Sequence, residues 1–408
     1  MDNSLTKKER IFVFLSFFYV LYTIFPLFGD ITGIPAYAPA ALVVVVLYSL
    51  YPQAIMTKST FWFYCYIGVL FFYIYIGKQF HINGLSPVLS QTYRVLIEAG
   101  WILPSVTIVN VLHYKNNPYL YKIIGFGSII LLVLSFLYIL PLVLSSANYL
   151  RASLGEEQVL RPMGLPAYDL MHAYTLMLLP LCLMLKKSMD VKQKLLYLII
   201  LVLFIYIIIQ TSVTTSLVLA LLVFIFVLIF DANAIPSSLF KISVLALIAY
   251  VLYLNGFFLI ALKGLMPYFE GTAVAYKIQD LYDSLILGKV TGESLTARQD
   301  LHMSSKMAFY NNPLWGDSVV GGHSKVLDML GTMGLIGFVP FVMIIISIMK
   351  SYISRIRNKE LNSYLCFSFI LSAIFLYTKG IFGGPGFLFT FLLVPVLIML
   401  VKNNENFK

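Results

Sequence analysis

His323 and Ser324 stand at the head of the stretch Gly321 to Gly337, GGHSKVLDMLGTMGLIG, where an ionisable imidazole meets an apolar, glycine-spaced segment. A neutral imidazole takes a proton near physiological pH and can act as a base toward a hydroxyl. The same two residues equally suit a plain helix cap. Two arginines, Arg161 in RPMGLPAYDLMHAY and Arg298 in SLTARQDLHMSSKMAFYNNP, carry groups whose planar donors match diphosphate oxygens. Their ordinary alternative is snorkelling, or pairing with Glu156, Glu157, Glu293 or Asp300. Arg94 and Glu98 lie four apart in QTYRVLIEAGW, on one helical face, as a self-neutralising pair or as charges turned toward a cavity. Asp169 and His172, three apart, present the same choice.

Several kinds of chemistry lack their residues. The chain has no P-loop, HExxH, nucleophile elbow or CxxC. Asp280 and Asp283 in QDLYD are the nearest approach to a cation-holding acidic pair, and an amphipathic surface explains them better. No metal site and no cofactor are expected. Cys65, Cys182 and Cys366 fall far apart inside apolar segments and read as small buried hydrophobes. Arginines and one histidine suit a substrate that already carries a good leaving group.

The elements that must position these residues are membrane spans. The chain has 408 residues, 60% of them hydrophobic and only 11% charged, which makes the bilayer its solvent. Twelve apolar runs are expected to cross it, at 11–29, 37–55, 61–77, 87–112, 123–146, 167–185, 195–212, 217–230, 242–262, 325–349, 363–379 and 385–401. Arg94 and Glu98 fall inside the fourth. The fold class is all-α, a single polytopic membrane domain over 1–408. Lys and Arg collect in the segments on the N-terminal side, three in MDNSLTKKER, four in KKSMDVKQK and four in KSYISRIRNKE. The positive-inside rule therefore puts both termini in the cytoplasm, and the net charge of +10 needs no nucleic acid to explain it.

Two outward connections are long: a shorter external loop, 147–166, and a large one, 263–324, before the tenth span. The large loop carries apolar residues at helical spacing in MPYFEGTAVAYKIQDLYDSLILG and SLTARQDLHMSSKMAFYNNP, so two amphipathic helices near the outer membrane face are expected. Gly331, Gly334 and Gly337, three apart, leave a stripe of the tenth span without side chains, which predicts close approach to a neighbouring helix.

The stretch TARQDLHMSSKMAFYNNPLWGDSVVGGHSKVLDMLGTMGLIGFVPF resembles the bacterial O-antigen polymerase and O-antigen ligase superfamily. The likeness rests on an arginine in a helix of the large outer loop (Arg298), an NPLWG turn (Asn312 to Gly316), a His-Ser pair (His323, Ser324) and a Leu with spaced glycines (Leu330, Gly331, Gly334, Gly337). Upstream, Arg161, Gly164 and Pro166 match a second family segment. Neither Arg161 nor Arg298 has a glycine eleven positions on, where polymerases often do, and His302 stands at a place often filled by a bulky aromatic. Ligases more commonly show His-Asn, so His-Ser favours polymerase.

The resemblance implies a GT-C-like membrane glycosyltransferase acting on undecaprenyl-diphosphate-linked glycans, donor and acceptor, at the outer face of the inner membrane. It implies that Arg161 and Arg298 hold the diphosphate, with Arg94 as a third positive charge. His323 would meet the acceptor hydroxyl, as base or as orienter, and Tyr310 and Trp315 would stack on sugars or anchor at the interface. A chain-length regulator is an expected protein partner, beside membrane lipid. The alternatives are an O-antigen ligase moving finished polymer to lipid A core, and a flippase of lipid-linked oligosaccharide. A flippase would be expected to show paired halves and broken-helix repeats.

Overall fold

The computed structural model describes residues 5–25, 37–75, 87–145, 168–210, 214–231, 234–270, 273–287, 293–317, 324–378 and 384–405. Among them the secondary structure is helical, with no strand. The helices are α1 (Lys7–Ile24), α2 (Tyr37–Leu50), α3 (Lys58–Tyr75), α4 (Pro87–Lys115), α5 (Pro118–Ser145), α6 (Tyr168–Lys187), α7 (Val191–Gln210) and α8 (Thr214–Ile229). They continue with α9 (Ile235–Leu254), α10 (Phe257–Leu265), α11 (Ala273–Leu287), α12 (Glu293–Asn311), α13 (Lys325–Ile353), α14 (Lys359–Thr378), α15 (Gly384–Leu388) and α16 (Val394–Glu405).

Five of these segments are long and apolar enough to cross a bilayer, or six if one bent pair is a single span. Their outer faces are as greasy as their inner ones. On α7, Leu195, Leu198, Ile199 and Val202 are all exposed, and only 33% of that helix's apolar window is buried. Water would not tolerate such a patch, whereas hydrocarbon demands it. The chain is an all-α, membrane-embedded protein.

The innermost element is the last. Of the run Gly384–Val401, 94% is buried, against α5, α6 and α14. Between α15 and α16 the turn Phe389–Leu393 is a π-helix, whose wider winding frees backbone carbonyls. Tyr352 donates its hydroxyl to the Phe391 carbonyl at 3.1 Å, and Thr390 bonds Ser372 at 2.8 Å. Around this axis α1 lies on α5, α2 on α4, α7 and α8 on α6, and α13 between α3 and α14.

The Lys/Arg-rich segments gather at one end of the bundle. Arg355 donates to the His113 carbonyl, joining the ends of α13 and α4, and Lys186 and Lys187 both pair with Glu360, joining α6 to α14. At the same end a reciprocal capping box between Thr6 and Glu9 opens α1. Burial alone would raise the Glu9 carboxyl, but the Thr6 amide and hydroxyl outweigh it and hold Glu9 below its ordinary value.

One expected span is not a single helix. Over 242–262 the chain turns by 79° between α9 and α10. Gly256 adopts φ 67°, a left-handed backbone that glycine takes without a Cβ clash, and its amide bonds the Tyr253 carbonyl and not the helix beyond.

Candidate functional site

Away from the Lys/Arg-rich end, α12, the turn after it and the first half of α13 form one hydrogen-bonded unit. It begins at Ser305, buried on the inner face of α12, which donates to Asp328 Oδ1 at 2.6 Å. Asp328 also accepts from the backbone amide of Ser324 at 3.1 Å through its other oxygen. Ser324 is the N-cap of α13, its hydroxyl accepting from the Leu327 amide at 3.2 Å. A carboxylate in the first turn of a helix is favoured by the partial positive charge there, so Asp328 both fixes the helix entry and anchors α12 to it.

The Asn312–Gly316 turn keys into α13. Gly316 closes the turn on the Asn312 carbonyl at 2.7 Å, and the Asn312 side chain accepts from the Trp315 amide at 3.3 Å. Opposite it, Gly334 lies at φ 57°, ψ −158°, and breaks α13 in two. A break leaves amides at the start of one half and carbonyls at the end of the other without helical partners. Here the Leu335 and Ile336 amides donate to the Pro313 and Leu314 carbonyls, at 2.9 and 3.2 Å. The Gly331 carbonyl accepts from the Asp317 amide at 2.6 Å, and the Met333 carbonyl from the Tyr73 hydroxyl at 3.2 Å. Trp315 then packs against Phe72 and Tyr73, with ring centroids 5.9 and 6.2 Å apart.

This arrangement changes the reading of the spaced glycines. A continuous helix with a bare stripe facing another helix was expected. Instead Gly334 interrupts the helix, and what comes close is the turn's backbone: a Cβ on Gly334 would overlap Leu314, and one on Gly316 would overlap the backbone of Thr332 and Met333. Gly331 lends its carbonyl to the turn, and a Cβ on Gly337 would meet only the Met333 side chain.

Beside the cap lies a buried ion pair. Lys325, the first residue of α13, reaches Glu98 on α4, with side chains 10% and 5% exposed. Glu98 is paired across helices with Lys325; the Arg94 side chain, its expected partner on the same helix, lies outside the described residues. The other Glu98 oxygen, Oε2, is buried and has no hydrogen-bond partner among the described residues. The pairing was missed because Lys325 opens an apolar run and reads as an interfacial charge. An acid inside one span and a base at the edge of another were the signal available. Charged groups removed from water stay charged only with such a partner, so this pair pins α4 to the head of α13.

The remaining expected site residues fall as follows. His323, immediately before this cap, and Arg161 lie outside the described residues. Arg298 is a position on α12, two turns before Ser305, and Arg94 a position on α4, one turn before Glu98; their side chains are also outside the description. Tyr310 is 66% exposed at the end of α12, and its ring stands 6.0 Å from that of Phe309. His172 is a core residue: its Nδ1 is 3.0 Å from Ser216 Oγ and its ring packs on Phe375. On α11, Asp283 accepts from Gln279. Among the described residues, no three His, Cys, Asp or Glu side chains form a group able to hold a metal ion. Compared with protein-family models and with characterised proteins, the chain matches none.

Proposed function

We propose that the chain is a twelve-span, GT-C-type glycosyltransferase of the cytoplasmic membrane. It would polymerise undecaprenyl-diphosphate-linked oligosaccharide repeat units into O-antigen or capsular polysaccharide at the membrane's outer face. The observation that carries this reading is the unit from Ser305 to Ile336. Asn312–Gly316, Ser324 and the spaced glycines, part of the stretch on which the family resemblance rests, make a hydrogen-bonded support, with one helix broken open, the backbone groups at the break paired, and a buried Lys325–Glu98 pair beside it. Reactive side chains need backing of this kind to hold their geometry.

In this mechanism the acceptor hydroxyl oxygen bonds to the donor's anomeric carbon while the bond from that carbon to the diphosphate breaks. The hydroxyl proton passes to His323 or, with His323 orienting, to water. Undecaprenyl diphosphate leaves with the electron pair. Arg161 and Arg298 offset the charge that grows on it, Arg94 adds a third cation, and Tyr310 offers a ring to the sugar. No protonation of the leaving group is required.

The test compares glycan chain length in a strain lacking the chain and complemented with wild type or His323→Ala, at matched membrane levels, with the lipid-linked fraction analysed separately. Loss of polymer, with single repeat units still delivered outside, is the expected result. Intact polymer retained on undecaprenyl diphosphate would instead make the protein a ligase. Normal polymer from His323→Ala, Arg161→Ala and Arg298→Ala alike would overturn the site.

A further inference from the structure

At the opposite end of α13 is a cavity that the proposed chemistry does not use. It has a volume of about 540 Å³ and lies between the start of α3, the end of α4 and the last turns of α13. Tyr73 and Lys58 are 15 residues apart on α3, which puts the cavity about 22 Å along the bundle from the Gly334 break. Its size falls in the range of roughly 300–1,000 Å³ typical of small-molecule sites.

The lining is cationic. Lys58, Lys350 and Arg355 face it, and among the described residues no Asp or Glu does. Lys58 and Lys350 are exposed, so their ammonium groups are available to a ligand. Arg355 is held in place by the Ser351 carbonyl at 2.6 Å and the His113 carbonyl at 3.3 Å. One wall is already satisfied internally: Asn110 donates to Thr57 and Thr60, both at 2.9 Å, and accepts from Ser59 at 3.1 Å. His113 is different. It is 7% exposed, lines the cavity, and its buried Nε2 has no hydrogen-bond partner among the described residues. Buried polar atoms are rarely left so unless a ligand or water completes them.

We infer that this cavity binds a phosphorylated anion, with Lys58, Lys350 and Arg355 supplying the charge. Basic pockets between membrane helices suit anionic lipid headgroups. Trp62, half-buried in the same lining, has the amphipathic ring that favours the membrane interface. The shared chemistry is the phosphoryl group, which a phospholipid or free phosphate could bring. This inference stands independently of the transferase reading.

The test uses the full chain purified in neutral detergent and titrated with dioleoyl phosphatidylglycerol or dioleoyl phosphatidylcholine, with bound lipid counted by native mass spectrometry. In parallel, thermal unfolding is followed in sodium phosphate against sodium chloride at equal ionic strength. Wild type is compared with Lys58→Ala/Lys350→Ala, with the conservative Lys58→Arg/Lys350→Arg, and with Lys192→Ala/Lys194→Ala as a control on general surface charge. At about 1 kcal/mol per interfacial lysine, the pocket double should weaken phosphatidylglycerol binding about thirtyfold, with the arginine double and the control unchanged. Protection by phosphate, lost in the same double, would name the soluble anion as the source; selective lipid adducts without it would name the headgroup. Equal binding by all four proteins, no preference over phosphatidylcholine together with no phosphate protection, or equal loss in the control would overturn the site.

Discussion

Two glycines turn the chain left-handed within apolar helical segments, Gly334 at φ 57° and Gly256 at φ 67°. Around Gly334 the space a Cβ would need is filled by the Asn312–Gly316 turn, and four backbone groups at the break have partners. Around Gly256 a Cβ would meet nothing within 4 Å among the described residues, and the neighbouring Phe257 is half exposed. The residue type and φ are nearly the same; ψ is not, −158° at Gly334 against 11° at Gly256, and neither is the energetic setting. A left-handed residue only permits a bend; a second segment that supplies donors and acceptors makes the bend a fixed part of the architecture.

The largest effect should follow from filling the keyed break. Gly334→Ala puts an L side chain at positive φ and drives the turn away, at a cost of about 4–5 kcal/mol when its three hydrogen bonds to α13 are displaced. Gly316→Ala should come close to it, because the same contact is blocked from the other side. Both should lower the melting temperature of the detergent-purified protein sharply or keep it out of the membrane. A wild-type melting curve for either would mean that the turn is not locked into α13.

The adjoining ion pair comes next. Lys325→Met leaves the Glu98 carboxylate buried without its partner and should cost about 3–5 kcal/mol, as should Glu98→Leu. The double variant removes both charges, so most of the loss should return. If the double melts as low as the sum of the singles, the pair is not what joins α4 to α13. A smaller loss, about 1 kcal/mol, is expected of Tyr73→Phe, which removes one donor from the break while keeping the ring that packs on Trp315.

Periodicity and hydropathy made the helices legible, α11 and α12 included, although on α12 the apolar Leu301, Met303 and Met307 are exposed while Ser305 is buried, so apolar spacing did not encode its inner face. They also pointed to Ser324 as a cap, since its position before an apolar run is a local signal. What they did not encode is which distant groups meet. Gly334 looked like one member of a glycine stripe because its left-handed angle depends on carbonyls from Pro313 and Leu314, reached only after the chain has folded back. The Lys325–Glu98 pair joins residues 227 apart in sequence, so neither residue's neighbours announce the other. The cavity at the far end of α13 likewise draws Lys58, His113 and Lys350 from three helices.

The smallest effect sharpens the comparison most. Gly256→Ala places an L side chain at φ 67°, which costs roughly 1–2 kcal/mol. Replacing glycine also reduces the entropy of the unfolded chain, which returns roughly 0.4–1 kcal/mol. With open space around the new Cβ and no partner to displace, the net loss should be about 1 kcal/mol or less. Melting temperatures of Gly256→Ala and Gly334→Ala, measured side by side, separate the two contributions. A large gap assigns the extra cost at Gly334 to the blocked turn together with ψ −158°, a backbone that only glycine takes readily. Equal losses would assign the cost at both glycines to the left-handed φ alone, and the Asn312–Gly316 turn would then be a bystander packed against a helix that glycine had already broken.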